Sequence, residues 1–348
     1  MSEWTTIRLG SVVRTNTTSY SPKEGWKYVN YLDTGNITEN VIDAIHHIDL
    51  ENEKLPSRAK RKVQMNSILY STVRPNQKHF GIIKSMPKNF LVSTGFAVID
   101  VISEKADADY LYFWLTQNTV VEQLHAIAEQ SVSAYPSIKA SDIENLEIAL
   151  PPLTVQKSIA SILKSISDKM SHNSNINENL EHQSLALFSN YYEQSNTEID
   201  FTDLIQVLGG GTPKTRESTY WNGNIPFFTP KDVGFPYTLA TEKTITEDGL
   251  LHCNSRLYPV NTVFVTARGT VGKVGIAGVP MAMNQSCYAL IGKGIHQLLV
   301  YFYTLKAIDR LKHKASGAVF DAIITKDFET EQVFKLSPND TDTFRLIV

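Results

Sequence analysis

Cysteine is almost absent. Cys253 and Cys287 are the only two, 34 positions apart, so neither a disulfide framework nor the ligand spacing of a zinc site is present. No apolar stretch approaches the ~18 residues needed to cross a bilayer. The start Met1-Ser2-Glu3-Trp4 lacks a basic segment followed by an apolar run. The chain is therefore expected to be soluble and cytoplasmic, without a signal peptide or membrane contact. Charge of one sign is also missing. A net charge of −3 and a pI near 6.3 do not advertise nucleic-acid binding, yet leave room for a basic face on a near-neutral protein.

Catalytic patterns are equally scarce. No Glu-x-Lys triplet exists to build a metal-dependent nuclease centre. The only Pro-Pro pair, Pro151-Pro152, sits between leucines rather than in the loop of an amino-methyltransferase. The run Gly209-Gly210-Gly211-Thr212-Pro213-Lys214-Thr215 lacks the Gly-Lys-Ser/Thr ending of a phosphate loop and contains a proline. Gly269, Gly272 and Gly275 do not form a dinucleotide fingerprint. His46-His47 has no third ligand at a metal spacing. No catalytic residue, metal or cofactor is assigned to the chain.

What the chain does have is a repeat. Asn66-Ser67-Ile68-Leu69-Tyr70-Ser71-Thr72-Val73-Arg74 returns as Asn261-Thr262-Val263-Phe264-Val265-Thr266-Ala267-Arg268. Gly81-Ile82 returns as Gly275-Ile276, and Ser93 to Ile99 as Gln285 to Ile291. Tyr110 to Leu115 echoes Val300 to Leu305, and Ser141-Asp142-Ile143 echoes Lys326-Asp327-Phe328. The period is far too long for a solenoid, so two whole domains are expected, 1–151 and 196–348, joined by a segment at 152–195. Each domain should be α+β (mixed α/β), with short strands and helices near Ala108–Glu129 and Ile295–Lys314.

The joining segment has neither proline nor glycine from Thr154 to Asn190. Ile159, Ile162, Ile166, Ile176, Leu180 and Leu187 recur mostly at threes, fours and sevens, which predicts one helix with an apolar face and Thr154 as N-cap. About 37 residues make a rod of roughly 55 Å. Lys169, Asn173 and Gln183 interrupt the stripe. Helices this long draw stability from packing, so a partner helix is expected.

Basic residues gather in loops. Arg58, Lys60, Arg61 and Lys62 lie in the acid-free run Lys54 to Lys62. Arg74, Asn76, Gln77 and Lys78 follow a strand, and Arg, Asn and Gln have the geometry to read guanine and adenine. The matching loop of the second copy offers Arg268, Thr270 and Lys273, with Gly269, Gly272 and Gly275 allowing close approach of backbone to phosphate. Lys214, Thr215 and Arg216 form a basic loop ahead of Tyr220 and Trp221, which are read as core anchors. Lys231 could meet phosphate, and Asn284-Gln285 is a second adenine-reading pair with a simpler explanation as a turn.

Leu150-Pro151-Pro152-Leu153, Gln156, then Ile159-Ala160-Ser161-Ile162-Leu163 and Asp168-Lys169 resemble the spacer region of the specificity subunits of type I DNA restriction-modification enzymes. Gly210 to Thr215, Tyr220-Trp221, Ile225 to Asp232 and Ala267 to Gly272 resemble the opening of a target recognition domain in that family. The resemblance implies two target recognition domains joined by a coiled-coil spacer. Each would read one half of a split double-stranded DNA site. It implies methyltransferase and restriction/translocase subunits as partners, which would carry S-adenosylmethionine, ATP and Mg. A 55 Å rod corresponds to about 16 base pairs as a ruler between half-sites. The family's second helix, expected after Leu336-Ser337-Pro338, is not visible as a helical run. Two copies are therefore expected to pair antiparallel through 154–190 as a homodimer, or methyltransferase subunits to cover the stripe. A bivalent protein-binding scaffold without DNA specificity is the alternative.

Overall fold

The computed structural model describes residues 4–131, 135–234, 236–314 and 322–347, the side chains of 345–347 aside. The chain is mixed α/β. It divides into two compact β-rich units, Met1–Ser174 and Asn175–Val348.

In unit 1, the apolar strand Ile68–Ser71 is buried along its whole length, as a central strand between two neighbours should be. It pairs antiparallel with Phe96–Val101 on one side and Phe80–Ile82 on the other, and Val13–Thr15 completes the sheet. A second sheet places Tyr28–Leu32 parallel to Phe90–Ser93, flanked by His46–Asp49 and Ala59–Arg61. The helices Ala108–Leu115 and Asn118–Glu129 bury Tyr110, Leu111, Leu115 and Leu124 against the first sheet. The strand Glu147–Leu150 pairs with Thr5–Arg8.

Unit 2 repeats this order. Val263–Thr266 is the buried centre, with Cys287–Gly292 and Val274–Ala277 beside it and Ile205–Gly209 beyond. Trp221–Phe228 runs parallel to Ala282–Met283, and Glu198–Asp200 pairs with Gln332–Phe334. The helix Gln297–Lys314 packs Val300, Phe302, Tyr303 and Ile308 into the core.

The helix Leu153–Gln194 is 42 residues long. Its first turn is closed by Val155 N–H and Gln156 N–H donating to Pro152 O, so Pro152 precedes the turn and Thr154 lies inside it rather than capping it. Gln156 is buried. Its Nε2 donates to Pro151 O at 2.7 Å and its Oε1 accepts from Asp107 N–H at 2.9 Å, clamping the start of this helix to the N-cap of Ala108–Leu115. Ile159 and Leu187 pack against the cores of their own units, whereas Ile162, Ile166, Ile176 and Leu180 are 53–63 % exposed. The stripe open to a partner is thus the middle of the expected one, and Met170 belongs to it at 68 % exposure. Phe188 and Tyr192, near the far end, are buried in unit 2.

One detail differs from the expectation: a short helix of 10 residues, Pro338–Ile347, follows Leu336-Ser337. Proline at its first position removes one orphan donor, and Ser337 Oγ accepts Asp340 N–H at 3.1 Å as the cap. Phe344 from this helix closes an aromatic cluster with Phe188 and Phe302. Its acidic, hydroxyl-rich opening masked the helical pattern. Among the described residues, no helix is long and apolar enough to cross a membrane.

Candidate nucleic-acid interface

In unit 2, four segments leave strand ends at a common edge and are tied by hydrogen bonds. Gly211 N–H donates to Met283 O, Asn284 N–H to Phe228 O, and Ala267 N–H to Ser286 O. Thr270 Oγ1 donates to Pro230 O at 3.4 Å, and Thr212 Oγ1 donates to Gln285 Oε1. The glycine run has a packing reason. A Cβ on Gly210 would lie 2.1 Å from Asn284 O, and one on Gly211 2.5 Å from Asn254 N. The arrangement gathers Lys231, Arg268, Thr270 and Lys273, all exposed. Lys214, Thr215 and Arg216, also exposed, follow in the same loop as Thr212, held by Trp221 Nε1 donating to Lys214 O at 3.2 Å. Trp221 packs edge-on against buried Phe227, whereas Tyr220 stacks on the exposed His252.

The loop 268–273 is shaped by a buried hydroxyl that sequence reading passed over. Thr266 Oγ1 accepts Lys273 N–H at 2.9 Å and donates to Thr270 O, while Gly272 N–H reaches Thr266 O. Gly269 and Gly272 have φ of +83° and +75°, where a side chain would be strained. Gly275 is a correction: it is buried within its strand, facing Phe228 and Thr238, and not available to a phosphate. The signal for Thr266 was a hydroxyl ending an apolar strand. Ser71 ends the matching strand of unit 1 and its Oγ donates to Val73 O at 2.9 Å.

Unit 1 builds the same kind of edge. Thr72 N–H donates to Gly95 O and Thr94 N–H to Arg58 O. Arg74 N–H donates to Pro136 O. Arg74 and Lys78 bracket the short turn Pro75–Gln77 with φ of +48° and +57°, and Arg74 lies 5.2 Å over the Tyr135 ring. Asn76 and Gln77 are exposed at the tip. Arg58 and Lys60 are exposed too. The other three cations are engaged: Lys62 with Glu24 and over the Trp26 ring, Lys78 with Glu39 at 2.8 Å, and Arg61 under Thr94, its Nη2 3.4 Å from Thr94 O. Burial pulls the Arg61 guanidinium below its ordinary pKa. Lys231 in unit 2 has a looser partner, Glu242 at 3.5 Å.

Two further readings find structural explanations. Asn284 Oδ1 accepts Ser286 N–H, the turn role weighed above. His46 Nε2 and His47 Nδ1 bond Asn36 Oδ1 and Asn30 Oδ1 at 3.1 Å. Among the described residues no group of three His, Cys, Asp or Glu is placed to hold a metal ion. Cys287 is buried, which pushes its thiol up to about 12, and Cys253 is half-buried.

The model of the type I restriction modification DNA specificity domain matches the chain twice, over residues 1–182 and 195–337. The chain belongs to this family. It is 28 % identical over 398 residues to the type I restriction enzyme HindI specificity subunit of Haemophilus influenzae, covering 91 % of this chain and 86 % of that one. It is 31 % identical over 144 residues to the MjaIX specificity subunit of Methanocaldococcus jannaschii, covering 40 % of this chain and 33 % of that subunit. The crystal structure of the type I restriction-modification S subunit from M. genitalium matches 99 % of this chain and 89 % of its own at a TM-score of 0.60 and 14 % identity, a likeness of fold. Within the family the chain's part is DNA specificity.

Proposed function

We propose that each unit reads one half of a split double-stranded DNA site and that the chain thereby directs separate methyltransferase and restriction subunits. The observation that carries this is the recurrence of one tied loop edge in both units, bearing Arg74 in one and Arg268 in the other. Backbone hydrogen bonds of the same pattern hold both: Ile138 N–H to Thr72 O, and Ile323 N–H to Ala267 O. The exposed cations there suit phosphates, and the Arg, Asn and Gln side chains suit base edges. S-adenosylmethionine, ATP and Mg would belong to the partner subunits.

The domain division follows the same reading: recognition domains at 1–151 and 196–348, and a helical spacer at 152–195. The exposed Ile162, Ile166, Ile176 and Leu180 stripe supports a coiled-coil role for the spacer, with a second copy of the chain paired antiparallel on it. Light scattering at micromolar concentration should give the mass of two chains, and a clean monomer would remove the pairing.

The functional test is methylation. Genomic DNA incubated with the methyltransferase partner and S-adenosylmethionine should acquire methyladenine at one recurring split sequence only when this chain is present. Methylation independent of the chain, or scattered without a common sequence, would leave the protein-scaffold reading standing.

A further inference from the structure

Unit 1 carries a cleft of about 510 Å³ that opens beside the proposed DNA face. Its walls include Tyr31, Asp33, His46, His47, Lys54 and Arg58. Of these Lys54 and Arg58 belong to the basic run above. Asp33 and Glu53 are the cleft's carboxylates, beside a run of cations, and Asp33 is the one fixed by its neighbours. Its Oδ1 accepts Thr34 N–H at 2.9 Å and the Tyr31 hydroxyl at 3.0 Å. Burial disfavours its charged form, yet these bonds, the Ser93 hydroxyl and the field of Arg58 together hold the carboxyl below its ordinary value. It is a fixed anion.

The strand registers Val92 with Leu32 and Met283 with Phe228 make Thr229 the matching residue of unit 2, and there the nearby carboxylate, Asp232, is spent on its own turn, accepting Thr229 N–H and the Thr229 hydroxyl at 2.8 Å and Glu242 N–H at 2.8 Å, whereas Asp33 lines a cleft. On a DNA face a carboxylate repels every phosphate. It gains only from an exocyclic amino group, and cytosine N4 is the usual partner of Asp and Glu. Arg58, exposed on the same cleft, carries the fork that matches guanine O6 and N7.

We propose that this cleft is a base-reading site of unit 1, in which Asp33 accepts from a cytosine amino group and Arg58 donates to guanine, so that the half-site contains a G·C pair. The proposal rests on the DNA-reading function above. Asp33 selects by exclusion as much as by attraction, since thymine O4 and guanine O6 turned toward it would leave two acceptors facing each other.

The test uses the chain in complex with its methyltransferase partner, on duplexes that differ from its selected site by one base pair each. Asp33→Asn keeps an acceptor for Thr34 N–H, and Arg58→Gln is an exposed change, so both should fold as the parent does. The parent should discriminate against replacing one G·C pair, and each variant should lose roughly 10-fold of that discrimination at that position. The other half-site should be read unchanged. Variants that discriminate as the parent does at every position would overturn the proposal, as would a uniform loss of affinity across all duplexes, which is the mark of a phosphate contact. If the parent prefers no duplex over any other, the DNA-reading function itself fails and this site with it.

Discussion

Salt dependence offers a test whose size follows from the placement of individual cations. Eleven of the proposed interface residues are Lys or Arg: Arg58, Lys60, Arg61, Lys62, Arg74, Lys78, Lys214, Arg216, Lys231, Arg268 and Lys273. Lys62, Lys78 and Lys231 are paired with carboxylates, and the Arg61 guanidinium is tucked under Thr94. That leaves seven exposed cations without a salt bridge among the described residues, of which Arg58 is assigned to a base. Neutralising six phosphates gives a slope of log affinity against log salt near −5, since each contributes about −0.9. Between 50 and 200 mM salt the affinity should fall by roughly 10³ to 10⁴. Fluorescence anisotropy with a labelled duplex across that range measures it. Lys273→Ala should make the slope shallower by about 0.9, whereas Glu39→Gln, which frees Lys78, should make it steeper by about the same amount. A slope gentler than about −2, or no response of the slope to Lys273→Ala, would refute the placement of these loops on phosphate.

Phe188 is fully buried among Tyr192, Phe302, Tyr303 and Phe344, so Phe188→Ala should cost about 3–5 kcal/mol and lower the melting temperature of unit 2 by roughly 6–20 °C in calorimetry. Gln156→Leu leaves Asp107 N–H and Pro151 O without their partner and should cost about 1–3 kcal/mol, seen as an earlier thermal transition, with the central helix retained by circular dichroism. Ile166→Ser, on the exposed stripe, should leave the melting of dilute monomer within about 0.5 kcal/mol yet abolish the two-chain species in light scattering. At pH 8 a maleimide should label Cys253 and spare Cys287 in the folded chain, because burial keeps the Cys287 thiol protonated; mass spectrometry of the peptides decides this. The Asp33 carboxyl has a folded pKa below its ordinary value, so its contribution to stability is full above about pH 4 and is lost as the pH falls through the folded value. Asp33→Asn should therefore flatten the acid limb of an unfolding-against-pH curve.

Much of this was readable in the residues, and the failures have physical causes. The apolar strands Ile68–Ser71 and Val263–Thr266 are buried on both sides and announce themselves as continuous runs. The helices Asn118–Glu129 and Gln297–Lys314 lie where helices were expected. Thr154 looked like a cap because hydroxyls usually mark helix starts, but Pro152, with φ already fixed, begins the turn two residues earlier. Pro338–Ile347 was missed because Asn339-Asp340-Thr341-Asp342-Thr343 is a weak helix former, and only burial of Phe344 shows why it folds. Arg61, Lys62 and Lys78 looked like their neighbours in sequence. Their engagement by Thr94, Glu24 and Glu39 comes from residues 33, 38 and 39 positions away, which no local pattern reveals. The same holds for Asp33, whose meaning depends on Arg58 lining the same cleft.

The most direct test of the central claim is selection from a pool of random duplexes by the chain together with its methyltransferase partner, followed by sequencing of the bound fraction. The account predicts two short fixed blocks separated by a constant gap, one assigned to each unit by the loss of that block in Arg74→Ala or Arg268→Ala. A bound fraction indistinguishable from the input pool, with binding to the methyltransferase retained, would contradict it.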